Sequence, residues 1–150
     1  MNKHYFVFGL VAALFISIVA NAQGTLDKSV TVDLTQGDFV RIVSMEPGND
    51  KPLHVGETID INSKIEYRLN EPKAALSLVI QKAQIDSKNL VDTVIASTTK
   101  AVSQGSGVIE LTQSITVPDT DAIKVFTPLI VDGEKETQTV EFRVYEVQEK

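Results

Sequence analysis

Ile59-Asp60-Ile61-Asn62-Ser63-Lys64-Ile65-Glu66-Tyr67-Arg68-Leu69 decides the fold class. Apolar residues take the odd positions, Ser63 excepted, and polar or charged residues take the even ones. A period of two over that length marks a strand with one face buried and one wet. A helix would spread the same residues around its whole circumference. A wet face also favours antiparallel pairing, because parallel sheets are covered on both sides.

Working outward, the same pattern recurs in weaker form. Val30, Val32 and Leu34 alternate with Ser29, Thr31 and Asp33, and Phe39 to Met45 is rich in β-formers. Ala75 to Ile80 and Leu90 to Ala96 are short apolar runs. Ile109, Leu111, Ile115 and Val117 alternate with polar residues, Ile123 to Ile130 follows, and Val140, Phe142 and Val144 come last. This amounts to about eight or nine strands. Turn chemistry separates them at Pro47 to Pro52, Asn70 to Lys73, Gly105-Ser106-Gly107, Pro118 to Asp121 and Asp132 to Lys135. No stretch carries a capped helical stripe, although Ala83 to Asn89 has room for one short helical turn. The expected fold is all-β: an antiparallel two-sheet β-sandwich.

The first 22 residues have a different character. Met1-Asn2-Lys3-His4 is positively charged, Tyr5 to Ala20 is an uncharged apolar run, and Ala20-Asn21-Ala22 sets small residues at a signal-peptidase spacing. This is the pattern of a secretory signal peptide. The uncharged stretch to Gly24 is also about as long as a membrane-spanning helix. Cleavage after Ala22 is favoured by the small residues, by polar Asn21 and Gln23, and by the lack of a following basic cluster. The expected organisation is a signal peptide over 1–22, an N-terminal segment with a first strand over 23–37, and the sandwich over 38–148. The expected location is the periplasm, the cell surface or the medium, with no stable membrane insertion after cleavage.

Composition narrows the function. The chain has 150 residues and no cysteine, so disulfides, thiolate metal sites and cysteine nucleophiles are excluded. In an exported domain that absence points toward a bacterial source. Fourteen basic against 20 acidic residues give a net charge of −6, and loss of Lys3 with the signal peptide makes it −7. A negative surface without a basic stripe repels phosphate backbones, so no nucleic-acid partner is expected.

Leu53-His54-Val55-Gly56-Glu57-Thr58-Ile59 resembles the entry to the second core strand of immunoglobulin-like domains, and Gly105 to Leu111 resembles the run into a later one. The likeness spans most of residues 38 to 148. It is similar to the disulfide-free immunoglobulin-like and fibronectin-III-like modules of bacterial exported proteins. The resemblance implies a module that binds, spaces or adheres rather than one that catalyses.

The residues themselves offer little chemistry. His54 is the single histidine after the signal peptide and reads as a turn residue. Asp60 and Glu66 share one strand face about 20 Å apart, too far for a hydrolytic carboxylate pair. Asn49-Asp50, Asp119 with Asp121, and Asp132 with Glu134 place oxygen ligands in turns, where calcium is the one cofactor to consider. Such residues are also favoured in turns by local hydrogen bonding. Tyr67, Phe142 and Phe39 are in phase with core positions. Tyr145 and Phe126 are out of phase and expected to face outward, as the aromatic candidates for a binding surface. No phosphate-binding loop or nucleophile elbow is present.

The expectation is a non-catalytic module that contacts an envelope or extracellular protein, or a surface polymer. It would act through sandwich loops or an edge strand, with Tyr145, Phe126, His54, Asn49, Asp50, Asp119 and Asp121 as candidate contacts. The rival expectations are a fibre or adhesin subunit that donates its Val30 to Leu34 strand, and an enzyme inhibitor.

Overall fold

The computed structural model describes residues 29–33, 37–86, 89–135 and 139–150. They form seven strands: β1 (Ser29–Asp33), β2 (Phe39–Glu46), β3 (Leu53–His54), β4 (Thr58–Asp86), β5 (Asn89–Thr116), β6 (Ala122–Val131) and β7 (Thr139–Gln148). No helix occurs among the described residues, and the strands join in one sheet of order β1-β7-β6-β4-β2. β5 adds to β4, and β3 pairs with the end of β7. All pairings are antiparallel except β3 with β7, where Leu53 lies opposite Val147 and His54 opposite Gln148. The signal-peptide reading, with residues 23–28 and Leu34, lies outside the described residues.

The alternation that begins at Ile59 opens a strand of 29 residues, paired with β5 from end to end. Asn70-Glu71-Pro72 does not end it. The register passes from Leu69 opposite Gly105 to Lys73 opposite Ser103, so three residues face Gln104 alone. A bulge tolerates Pro72 because its missing N–H is not needed by the ladder. Gly105 meets it with φ +109, a conformation that favours glycine. The four strands expected from Ile59 to Leu69, Ala75 to Ile80, Leu90 to Ala96 and Ile109 to Val117 are therefore halves of two. The eight expected segments thus become six strands, and the short β3, which no expected segment covers, makes seven among the described residues. Nor does the short helical turn form over its described residues, since Ala83–Asp86 continue β4 and Asn89 opens β5.

The bulge also switches the buried face. Ile61, Ile65, Tyr67 and Leu69 point into the core before it, and Ala74, Leu76, Leu78 and Ile80 after it. The first half of β4 carries β2 on its other edge, and the second half carries β6. The hairpin folds back: the Thr98 hydroxyl donates to Gln113 Oε1 at 2.6 Å, although both residues belong to β5. On the opposite side β2 lies against β7, where Ile42 N donates to Glu141 Oε2 at 2.6 Å. The main core fills the space between, from Val40 and Ile42 on β2 to Val125 and Leu129 on β6 and Tyr145 on β7.

β6 and β7 are buried on both faces. Ile123, Val125, Leu129 and Tyr145 enter the main core, while Ala122, Phe142 and Val144 join Ala83 in a second cluster, with Phe126 packed against it. Phe142 is thus buried as expected, but away from the main core. Phe39 is only half-buried. It lies opposite Arg68 on the wet face, with the guanidinium 5.2 Å from its ring centroid. Tyr67 does enter the core, and its ring covers Gly107 across the ladder. A Cβ on Gly107 would lie 2.9 Å from that ring. Gly107→Ala is expected to cost about 1–3 kcal/mol through overpacking, read from the urea midpoint.

Candidate functional site

The turn that feeds β4 shows how local chemistry assembles one end of the molecule. Gly56 adopts φ +79, which reverses the chain after β3. Glu57 then closes the turn from both sides: its N–H donates to His54 O at 3.1 Å and its carboxylate accepts from His54 N at 2.8 Å. Gly56 N donates to Val117 O, Val117 N to Glu57 O, and Val55 N to Gln148 O, all between 2.8 and 3.0 Å. His54 is half-buried, and its Nδ1 is a buried atom without a hydrogen-bond partner.

The neighbouring loops fasten to the same stretch of β7. The Tyr145 hydroxyl donates to Pro47 O at 2.6 Å and Asn49 Nδ2 to Val144 O at 3.3 Å. Val147 N donates to Asp121 O at 3.2 Å, and the buried Thr120 hydroxyl to Ala83 O at 2.9 Å. Asn49, Asp50, His54, Asp119, Asp121 and Tyr145 are therefore gathered around the last part of β7, although they come from distant parts of the sequence. A depression of about 280 Å³ lies there, lined by Val55, Asp119, Asp121, Val147, Gln148 and Glu149 among others. Asp50, Asp119 and Asp121 are exposed.

Two aromatic expectations are corrected. Tyr145 is fully buried, because the odd positions of β7 face β2 and its hydroxyl has a carbonyl partner there. Phe126 is half-buried opposite Phe142 on the other face of the sheet, away from the gathered loops. Burial pushes the Tyr145 hydroxyl pKa well above its ordinary value of 10.0, Glu46 pushes it further, and Arg143 opposes both. The folded state thus holds this proton more tightly than the unfolded chain. The resulting stability is fully present below about pH 10 and lost as pH rises beyond it. Thermal unfolding followed from about pH 8 to 12 is expected to show a midpoint that falls more steeply above pH 10 than in Tyr145→Phe.

Among the described residues, no three His, Cys, Asp or Glu side chains form a group that could hold a metal ion. Asp132 lies at the opposite end of the sheet, where its N–H donates to Lys73 O at 3.0 Å. The wet face of β4 and β5 is occupied by its own cross-strand pairs. Ser114 donates to Asp60, the Thr112 hydroxyl donates to Asn62 Oδ1 at 2.6 Å, and Arg41 is paired with Glu66. Asp60 and Glu66 thus belong to a solvated ladder, with no convergent acid and base beside them.

The sequence reading missed a feature of β5. Among the described residues β5 pairs with β4 alone, so it forms an edge of the sheet. Among the described residues, three of the four large exposed hydrophobic side chains lie on it: Val94 at 53%, Ile95 at 36% and Val108 at 53%. Ile95 is the extra residue of a second bulge, between the pairs Ile80–Ala96 and Gln81–Val94. An apolar run such as Leu90 to Ala96 reads as a buried strand, and an edge leaves no local mark in the sequence. The chain matches no family model and no curated protein.

Proposed function

We propose that this chain is a non-catalytic exported binding or structural module whose contact element is the β5 edge. One observation carries the reading: among the described residues a 28-residue strand has a single partner and exposes Val94, Ile95 and Val108. Edge strands that avoid pairing are usually short or guarded by charge and proline. From Thr93 to Val108 the strand has one charged residue, Lys100, and no proline. An extended segment added to such an edge gains main-chain hydrogen bonds along its length. The bulge at Ile95 divides the edge into shorter stretches for pairing.

The same reading takes the sheet as a two-layer, immunoglobulin-like sandwich in which β4 and β5 each cross between layers. The Thr98–Gln113 and Ile42–Glu141 contacts support it, as does the parallel β3–β7 pair beside the Gly56 turn. Counting each crossing strand twice gives nine. The N-terminal pattern supports export to the periplasm or cell surface with cleavage after Ala22, and the partner is an envelope or extracellular protein or a surface polymer. Against the strand-donation alternative, β1 is paired with β7 over five residues of its own chain.

Val94→Lys with Ile95→Lys tests the edge. The double variant is expected to lose at least about tenfold in affinity for envelope extract while its thermal midpoint stays unchanged. Unchanged binding in that variant, with loss in Asp119→Asn/Asp121→Asn, would move the contact to the loops around β7.

A further inference from the structure

β5 is an edge that doubles back. The Thr98 hydroxyl lies 2.6 Å from Gln113 Oε1 and 3.4 Å from Thr112 O, although Thr98 and Gln113 are 15 residues apart in one strand. A straight strand would separate them by about 50 Å. Gly105, with φ +109, lies in the middle of that span. The first half of β5 thus runs back beside the second, with Thr98 level with Gln113. Each half also has a defined hydrogen-bonding phase. Asp132 N donates to Lys73 O at 3.0 Å, so Lys73 turns its main-chain groups to β6, and Ser103 opposite it turns its own outward. The register is unbroken from there to Val79 opposite Ser97, so Ser97, Thr99 and Ala101 turn outward as well. In the second half Val117 N donates to Glu57 O at 2.8 Å, so Val117 bonds inward, and Ser114, Thr112 and Glu110 turn outward.

We propose that the occupant of the β5 edge is a second copy of this chain, paired about a two-fold axis parallel to the strands; this rests on the reading of β5 as the contact edge of a two-layer sheet. Such an axis keeps levels and exchanges halves, so the first half of each copy lies antiparallel to the second half of the other. A single extended segment would satisfy one half only. Level with Thr98 is then Gln113 of the other copy, Ser97 meets Ser114, and Thr99 meets Thr112. These four residues are exposed, and all four turn their main-chain groups outward, so donors face acceptors. A shift by one residue would lose that match. The side chains agree with the register: Thr99 and Thr112 form a favourable cross-strand pair, and Val102 meets Ile109. Lys100 meets Leu111 and Glu110 meets Ala101, so no like charges stand opposite. The β2 edge is closed by contrast. Ile42 N donates to Glu141 Oε2 at 2.6 Å, and Arg143 Nη2 donates to Ile42 O at 3.4 Å.

The chain has no cysteine, so introduced thiols report the pairing without background. Ser97→Cys and Ser114→Cys chains are purified separately from cells that produce the protein, then mixed and mildly oxidised. The mixture is expected to give at least about tenfold more disulfide-linked dimer than either variant alone, because only the unlike positions come within bridging reach. Thr99→Cys with Thr112→Cys repeats the measurement in case one variant fails to fold. The unsubstituted chain is expected to sediment as a dimer. A monomeric parent, or equal yields from the mixture and from Ser97→Cys alone, would overturn the proposal. A photo-adduct joining Ser97 of a monomeric parent to a different protein would leave β5 standing as the contact edge. Absence of any Ser97 adduct would remove both readings.

Discussion

Glu141→Ala is expected to cost about 3–5 kcal/mol, a large part of the roughly 5–15 kcal/mol that holds a domain together. Glu141 is 4% exposed and joins two structural elements. Its Oε1 accepts from Arg143 Nη1 at 2.6 Å, and its Oε2 accepts from Ile42 N at 2.6 Å. The second bond supplies a β2 backbone donor with its partner, beside the register shift between Ile42 and Ser44. Alanine would leave that N–H buried and the guanidinium without its carboxylate. Glu141→Gln keeps an acceptor for Ile42 N and gives up the charge pair, so its expected cost is smaller, about 1–3 kcal/mol. Urea denaturation of the two variants separates the terms. An alanine variant within about 1 kcal/mol of the parent would show that β2 is held to β7 by apolar packing alone.

Tyr145→Ala is the second large effect, expected at about 3–5 kcal/mol. The fully buried ring is a main-core residue from β7, and its hydroxyl anchors the Pro47 turn. Removing the ring opens a cavity among side chains that come from distant parts of the sequence. Tyr145→Phe keeps the ring and leaves Pro47 O without its donor, for about 1 kcal/mol. The pair separates packing from anchoring. Equal losses in both variants would mean that the hydroxyl, and not the ring, is the main contribution.

How far the sequence could be read follows from the range of each interaction. The strand from Ile59 was legible because alternation is local and one face is wet. Its continuation through Asn70-Glu71-Pro72 was not, because the same residues suit a turn and a bulge. Only the partner strand, with Gly105 opposite Leu69, distinguishes the two. The phase of β7 was misread at Tyr145 because both faces of that strand are buried, and alternation then carries no direction. The gathering of Asn49, His54 and Asp121 around β7 depends on a two-residue parallel pairing and single backbone hydrogen bonds across the chain. No local pattern encodes those. The exposed β5 edge was hidden for a related reason, since an edge is defined by a missing neighbour.

The central claim is contact through the β5 edge. Photo-crosslinking from single positions in cells that produce the protein tests it most directly. Ser97 and Ala101, both exposed on β5, are compared with Asp119 beside β7. The account predicts a discrete adduct from Ser97 and Ala101, lost in Val94→Lys/Ile95→Lys, and none from Asp119. Adducts from Asp119 alone, or from none of the three positions, would contradict it.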